Sequence, residues 1–231
     1  MQYDSMRTIA IHLPVYKRKR CQIMAYETLE RLRSVMLELG YDSYVVVGGS
    51  TTLDRGIAEE YGHKYLMLPN QPVGRKFHEI SRYIYRQRNY DIFMEFCSDN
   101  CVTSEYMRRA IQAIDEGWEM ACSDAFQATS WVARLTPASV VEYFMRKHNF
   151  IYDLRKNKRL DHSYAKLLRN KKMKIKKVEW EGYPPIVDVK DDLSMNPLSS
   201  YRKRDGSNNV PLTGDFPELY NQHPLWQPQE K

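Results

Sequence analysis

Residues 90–100 read YDIFMEFCSDN, an apolar run followed at once by three small polar residues. A short, nearly continuous apolar run bounded by turn residues predicts a strand buried on both faces, here over residues 91–96. Ser98, Asp99 and Asn100 then predict the turn that ends this strand. Because ligands of open parallel sheets bind outside the carboxyl ends of the strands, the triplet is a candidate site.

An alternation of strands and helices extends upstream from this strand. Apolar runs predict strands at residues 8–13, 44–47 and 65–68. Apolar residues at helical spacing predict helices between them, at residues 21–40, 53–60 and 75–88. Strands that alternate with helices favour a parallel sheet with helices on both faces.

The alternation continues downstream of residue 100. Strands are predicted at residues 119–123, 130–135, 174–180 and 186–189. Thr103 or Ser104 is predicted to cap the helix that follows the polar triplet. A later helix should take Thr136 as its N-cap and Pro137 as its first residue, and another should begin at Asp161.

The whole pattern predicts an α/β fold, a Rossmann-like domain whose mostly parallel central sheet is flanked by helices. We expect this domain to span residues 1–190. Residues 191–231 are polar, rich in proline and aperiodic, and we expect an irregular C-terminal tail that packs on the domain or is partly disordered.

Composition excludes several classes of protein. The chain has 231 residues, of which 42% are hydrophobic, so wholesale disorder is excluded and one domain is expected rather than two full-sized ones. No stretch approaches the ~20 apolar residues of a membrane-spanning helix, and the N-terminus lacks the pattern of a secretory signal. The four cysteines are too scattered for a disulfide framework. We therefore expect a cytoplasmic protein with free thiols.

Positive charge is concentrated in one segment of the chain. Residues 154–177 contain eleven Lys and Arg and a single acid, and carry a formal charge of +10. The whole chain carries only +6, so the segment Arg155–Lys177 stands apart from the rest. Such a segment predicts contact with DNA or another polyanion, and the alternative is a solvated helix and edge strand kept soluble by lysine.

Several common catalytic motifs are absent from the sequence. It has no GxGxxG and no GxxxxGK[ST]. The glycine motifs that would indicate a dinucleotide-dependent oxidoreductase or a P-loop hydrolase are therefore missing. It also has no GxSxG and no HExxH.

Four segments carry a resemblance to a known class of enzymes. They are HLPVYKR at 12–18, PNQPVGRKFHEI at 69–80, YDIFMEFCSDN at 90–100 and KRLDHSYAKLL at 158–168. In this order they resemble the GT-A class of nucleotide-sugar-dependent glycosyltransferases over roughly residues 7–190. The size and opening sequence are similar to those of small bacteriophage-encoded transferases that modify hydroxymethylated pyrimidines in DNA, which would act in the host cytoplasm.

The resemblance implies a site for a nucleotide-diphosphate sugar such as a UDP-sugar. It implies that the nucleotide contacts Pro14, Val15, Tyr16, Gly74, Arg75, Lys76, Ser98 and Asp99. It further implies a divalent cation, Mn²⁺ or Mg²⁺, held by Asp99 and, late in the chain, by Asp188, where it would assist the leaving diphosphate. This sequence departs from the class because Ser98-Asp99-Asn100 contains one carboxylate in place of two.

The resemblance also implies a catalytic base. Asp161 matches the position from which inverting members take the proton of the acceptor hydroxyl. The alternative is that Asp161 only caps a helix.

The resemblance leaves three acceptors open: a hydroxymethylated pyrimidine in DNA, a surface polysaccharide and a protein. A non-catalytic module that binds DNA or another polyanion is the alternative function. A nucleotidyltransferase is disfavoured because residues 12–20 contain no glycine.

Overall fold

Two neighbouring strands, from Arg7 to Pro14 and from Ile92 to Glu95, form the centre of a mixed sheet. The computed structural model describes residues 6–123, 133–149, 151–157, 170–178, 186–190 and 209–211, together with Leu160, Tyr164, Leu167 and Leu168. Its elements in chain order are β1 (Arg7–Pro14), α1 (Lys19–Glu38), β2 (Tyr41–Gly49), α2 (Thr52–Glu60), β3 (Lys64–Met67), α3 (Val73–Gln87), β4 (Ile92–Glu95), β5 (Asn100–Val102), α4 (Ser104–Asp115), β6 (Met120–Ser123), β7 (Arg134–Pro137), α5 (Ala138–His148), β8 (Ile175–Val178), β9 (Ile186–Lys190) and β10 (Asn209–Pro211).

The larger sheet has seven strands in the order β3-β2-β1-β4-β7-β6-β8. Within it β7 runs antiparallel to both of its neighbours, and the other described pairs are parallel. A smaller sheet has the order β10-β9-β5. The predicted α/β fold with a mostly parallel sheet is confirmed.

Helices cover both faces of the larger sheet because side chains alternate along each strand. On one face Ile9 and Ile11 pack in a cluster that includes buried residues of α1, α2 and α4. On the other face Ala10 and Phe93 pack with residues of α3 and α5. None of the helices formed by the described residues is long and apolar enough to cross a membrane.

Three local predictions differ from the structure. Thr136 is not an N-cap, because it lies in β7 opposite Phe93, and Pro137 precedes the helix instead. Strand β5 was not predicted, since its three residues are too few to show a period. Strand β10 lies in the segment predicted to be an irregular tail, and it pairs in parallel with β9. Backbone pairing between distant segments produced all three differences.

Gly74, near the start of α3, packs directly against the segment 153–157. Its backbone N–H donates to the carbonyl of Lys156 at 2.8 Å, and a Cβ at this position would overlap the carbonyl oxygen of Asp153. No side chain fits there without movement of the backbone. The glycine thus allows α3 to contact the loop that follows α5.

Replacement of this glycine should destabilise the fold. We expect Gly74→Ala to lower the free energy of unfolding by about 1–3 kcal/mol, the usual cost of overpacking. Gly56→Ala in α2 is the matched control, because a Cβ there has no neighbour within 4 Å and should stabilise the helix slightly. Urea denaturation of both variants measures the difference, and equal stability of the two would contradict the close packing.

Candidate active site

The candidate site lies at the carboxyl ends of β1, β2 and β4. The backbone continues to pair beyond these strands: the N–H of Val15 donates to Gly48 O at 2.9 Å, and that of Phe96 donates to His12 O at 3.0 Å. The loops at residues 15–18, 50–51 and 97–100 therefore begin from neighbouring positions at one edge of the sheet. Adjacent parallel strand ends are where α/β sheets bind ligands.

A buried carboxylate holds the first two of these loops together. The side chain of Asp54 accepts hydrogen bonds from the backbone N–H groups of Lys17 at 2.9 Å, Ser50 at 3.2 Å and Thr51 at 3.1 Å. Asp54 is only 1% exposed. Thr51 and Asp54 form the capping box of α2, which sequence spacing could have indicated. The bond to Lys17 joins distant parts of the chain and has no such signal.

A cleft of ≈ 500 Å³ opens between these loops. It is lined by Tyr16, Lys17, Thr51, Thr52 and Leu53. Tyr16 and Leu53 are 41% and 52% exposed, which is high for large hydrophobic side chains. The volume is in the range of small-molecule sites, and an exposed aromatic ring offers a surface for a planar base.

The side chain of Lys76 is buried immediately behind this cleft. Its Nζ donates to the carbonyl of Val15 at 3.0 Å and to Asn70 Oδ1 at 2.8 Å, and it lies 5.4 Å from the centre of the Tyr16 ring. Burial lowers the pKa of Lys76 to about 8. The ammonium group is still mostly protonated at neutral pH, so it supplies positive charge beside the cleft.

The other predicted nucleotide contacts have different surroundings. Val15 is 3% exposed and Pro14 is half-buried, whereas Tyr16 lines the cleft. Arg75 is exposed, and the N–H of Gly74 is bonded to the segment 153–157 as described above. Direct contact of a nucleotide with Gly74 or Arg75 stays a prediction.

The polar triplet after β4 meets an arginine from the loop after β1. The Nη2 of Arg18 lies 3.1 Å from Asp99 Oδ2 and donates to Ser98 Oγ at 3.0 Å, and its Nη1 lies 3.3 Å from the same carboxylate oxygen. The side chains of Arg18 and Asp99 are 12% and 16% exposed. Asn100 closes the turn, accepting from the N–H of Cys97 at 3.3 Å. The contact of Arg18 with Asp99 has no signal in the sequence, because the two residues are 81 positions apart along the chain.

The described donors at this turn do not fit a divalent ion. Hard cations take several oxygen ligands, and here one carboxylate and one hydroxyl both contact the guanidinium of Arg18. No three His, Cys, Asp or Glu side chains of the described part of the chain lie together as ligands.

The second predicted metal position, Asp188, lies in β9. Its backbone pairs opposite Asn100, so the fold brings positions 99 and 188 close together.

A buried polar network lies beneath the strand ends. His12, Glu95 and Arg134 occupy one row across β1, β4 and β7. Arg134 donates through Nε to Glu95 Oε2 at 2.7 Å, and the hydroxyl of Tyr152 donates to the same oxygen. The guanidinium carbon of Arg134 lies 4.5 Å from the centre of the Tyr164 ring. Segments that follow α5 are thereby attached to the centre of the sheet.

Burial decides the ionisation of this network. Burial lowers the pKa of His12, whose Nε2 lies 3.0 Å from the carbonyl of Phe77, so the ring stays neutral. Burial also raises the pKa of Tyr152 well above its usual value, which keeps the phenol protonated as a donor. Burial opposes the charge of Arg134, but the carboxylate of Glu95 more than offsets this and raises the arginine pKa.

Asp161, the predicted catalytic base, lies outside the described residues. The described residues on either side of it are buried: Leu160 is 6% exposed and Tyr164 is fully buried. Leu160 lies beside Gly74, and Tyr164 contacts Arg134 and donates to Thr136 Oγ1 at 3.3 Å. These contacts attach Leu160 to α3 and Tyr164 to β7.

Seven of the eleven cations of the basic segment are described, and all seven are exposed. Arg155 and Lys156 lie near Asp153, with nitrogen–oxygen distances of 3.5 and 3.9 Å. Lys171 lies 3.2 Å from the centre of the Tyr143 ring in α5, and Lys147 donates to the hydroxyl of Tyr143 at 3.0 Å. The basic surface therefore extends onto α5, which sequence analysis did not anticipate.

Comparisons with known proteins support the fold. No protein-family model matches the sequence, and no curated protein matches it significantly. Among solved structures, CMP:2-keto-3-deoxy-manno-octonic acid synthetase in complex with CTP is similar with a TM-score of 0.50 and 11% identity, over 79% of this chain and 93% of that one. S. aureus TarS residues 1–349 is similar with a TM-score of 0.51 and 13% identity, over 70% of this chain and 55% of that one. The chain thus shares its α/β fold with these proteins.

Proposed function

We propose that this protein is a GT-A-type glycosyltransferase that moves a sugar from a nucleotide-diphosphate donor to an acceptor hydroxyl. The observation that carries the proposal is the cleft beside Tyr16, which opens at the carboxyl ends of β1 and β2. Arg18, two residues beyond Tyr16, connects the loop that borders the cleft with Asp99 at the end of β4. A cleft in the volume range of small-molecule sites, close to the charged turn after β4, suits a nucleotide and its phosphates.

Within this proposal each part of the site has a role. The nucleobase lies against Tyr16, and the buried ammonium of Lys76 adds positive charge beside it. The diphosphate extends toward Asp99 and its neighbours. Asp161 takes the proton of the acceptor hydroxyl as its oxygen attacks the anomeric carbon.

A thermal-shift experiment with nucleoside diphosphates tests the donor site. A ligand that binds only the folded state raises the melting temperature, by an amount that corresponds to about 2.7 kcal/mol at one hundred times its Kd. We expect one of UDP, GDP, CDP and ADP to raise it and the Tyr16→Ala variant to show a smaller shift, because the base loses its aromatic contact.

Tyr85→Ala is the matched control for Tyr16→Ala. Tyr85 lies nine residues beyond Lys76 in α3, about 14 Å along the helix axis at 1.5 Å per residue. Its removal should leave the nucleotide-induced shift unchanged. If none of the four diphosphates raises the melting temperature of the wild-type protein, the glycosyltransferase proposal is wrong.

A nucleotidyltransferase is the second candidate, because one structural neighbour is a synthetase in complex with CTP. The loop after β1 contains no glycine, and Val15 and Lys17 are instead held by hydrogen bonds to Gly48 and Asp54. A nucleotidyltransferase would consume a nucleoside triphosphate and release pyrophosphate, whereas a glycosyltransferase releases a nucleoside diphosphate. Product analysis separates the two.

For the acceptor we propose a hydroxymethylated pyrimidine in DNA, and more generally a polyanion bound through Arg155–Lys177. The support is the exposed charge of this segment and its continuation onto α5 through Lys147 and Lys171. Binding through phosphate contacts of such side chains weakens steeply as the salt concentration increases.

A surface polysaccharide or a protein acceptor remains the enzymatic alternative. Strong DNA binding without any nucleotide binding would favour the non-catalytic binding module.

A further inference from the structure

Four consecutive cations, Lys17 to Arg20, surround the first turn of α1. Arg18 is the N-cap residue, its side chain makes no capping bond, and the first turn contains no acidic residue. Positive charge is unfavourable at the positive end of a helix dipole, where carboxylates are normally found. The sequence therefore accumulates cations at a place where they do not stabilise the helix itself.

The side chain of Arg18 gives this charge a definite position. It reaches from the loop after β1 to the turn after β4, where it contacts Asp99 and Ser98 at 3.0–3.3 Å. Both charged side chains are more than four-fifths buried, so water screens the pair weakly. Arg18 thus contacts Asp99 Oδ2, one of the two oxygens through which this carboxylate could bind a metal ion.

We propose that Arg18 is the group that neutralises the donor diphosphate, and that Asp99 acts as a positioning residue that holds Arg18 in place of a divalent ion. This inference rests on the glycosyltransferase proposal. A guanidinium has five N–H donors in a planar fork that matches phosphate oxygens. One arginine side chain can therefore donate hydrogen bonds to a carboxylate, a hydroxyl and a phosphate at the same time. Lys17 and Lys76, both 5.4 Å from the Tyr16 ring centre, add positive charge nearby.

The chemistry balances without a metal. The bond between the anomeric carbon and the β-phosphate oxygen breaks, and its electron pair leaves with the nucleoside diphosphate. The acceptor oxygen forms the new bond to the anomeric carbon, and its proton passes to a base, for which Asp161 is proposed. Arg18 stabilises the negative charge that develops on the leaving phosphate, as preorganised donors do in other active sites.

Nucleotide affinity with and without metal tests the inference. Isothermal titration is carried out with UDP, GDP, CDP and ADP and with the corresponding nucleosides, in Mn²⁺ and in EDTA. We expect the diphosphate that binds to bind equally well in both buffers. Arg18→Ala should weaken the diphosphate about 10- to 100-fold, as loss of hydrogen bonds to a charged group does, and should leave nucleoside affinity unchanged.

Two further variants test whether diphosphate affinity depends on the charge at this helix end or on the position of the Arg18 side chain. Arg20→Ala removes an equal charge from the same helix end, at an exposed side chain, and should weaken the diphosphate much less than Arg18→Ala does. Asp99→Asn keeps an oxygen acceptor but loses the ion pair, so it should weaken the diphosphate and not the nucleoside, again equally in Mn²⁺ and EDTA. Melting temperatures without ligand confirm that each variant is folded.

The outcomes distinguish this inference from the proposed function. A diphosphate that binds only with Mn²⁺, or that binds Arg18→Ala as tightly as the wild type, overturns the role of Arg18 and leaves the glycosyltransferase proposal standing. If no diphosphate binds in either buffer, both fail.

Discussion

Arg134→Met is expected to lower the free energy of unfolding by about 3–5 kcal/mol, the usual cost of breaking a buried ion pair from one side. Arg134 is fully buried and lies against Glu95, which is 4% exposed. Removal of the guanidinium leaves the carboxylate in the core with only the hydroxyl of Tyr152 as a described partner. Urea denaturation followed by circular dichroism measures the loss.

Two comparisons make this result specific. Glu95→Gln combined with Arg134→Met should recover much of the stability, because no charge is then left unpaired. Arg7→Met breaks an exposed pair with Asp115, at 2.7 Å, and should cost no more than about 1 kcal/mol. If Arg134→Met costs as little as Arg7→Met, the Glu95–Arg134 pair does not stabilise the fold.

The position of this network connects stability with the site. Glu95 ends β4 three residues before Ser98, and Tyr152 follows α5 on the segment that also contacts Gly74. The network therefore connects the end of β4, which leads into the polar triplet, with the segment that follows α5. Variants of Arg134 should consequently lose nucleotide binding at lower urea concentrations than those at which the fold as a whole unfolds.

Asp161→Asn is expected to lower the rate of sugar transfer by about 10²- to 10⁴-fold, the usual contribution of a general base. The amide cannot take the proton of the acceptor hydroxyl. The assay uses the donor identified by thermal shift and DNA that contains 5-hydroxymethylated pyrimidines. Release of nucleoside diphosphate and incorporation of sugar into DNA are both measured. Donor affinity should not change, because the base acts on the acceptor.

Asp153→Asn is the matched control for this variant. Asp153 is the nearest preceding acid in the sequence, its carboxylate accepts from the N–H of Arg155 at 3.1 Å, and we assign it no role in transfer. If Asp161→Asn transfers sugar as fast as Asp153→Asn, Asp161 is not the base. If DNA with and without hydroxymethyl groups gives the same absence of incorporation, the proposed acceptor is wrong.

Local sequence patterns predicted most of the strands and helices, because the conformation of such an element depends largely on residues that are close together in the sequence. The central parts of β1, β2 and β4 are continuously buried, so hydrophobic residues predominate there. Of the two N-caps predicted for α4, Thr103 and Ser104, the structure has Thr103, whose side chain accepts from the N–H of Tyr106 three residues later. Spacing of three or four residues along a helix is visible in a sequence without any knowledge of tertiary contacts.

The sequence by itself therefore determined the α/β class, the order of most of its elements and the turn in which Asp99 lies. Only the tertiary structure decided that Arg18 pairs with Asp99, that Asp54 joins two loops, and that β7 runs antiparallel. The partners in these contacts are 37 to 81 residues apart along the chain. Such pairs form because neighbouring strand ends bring distant segments together, and burial then requires each polar group to find a partner.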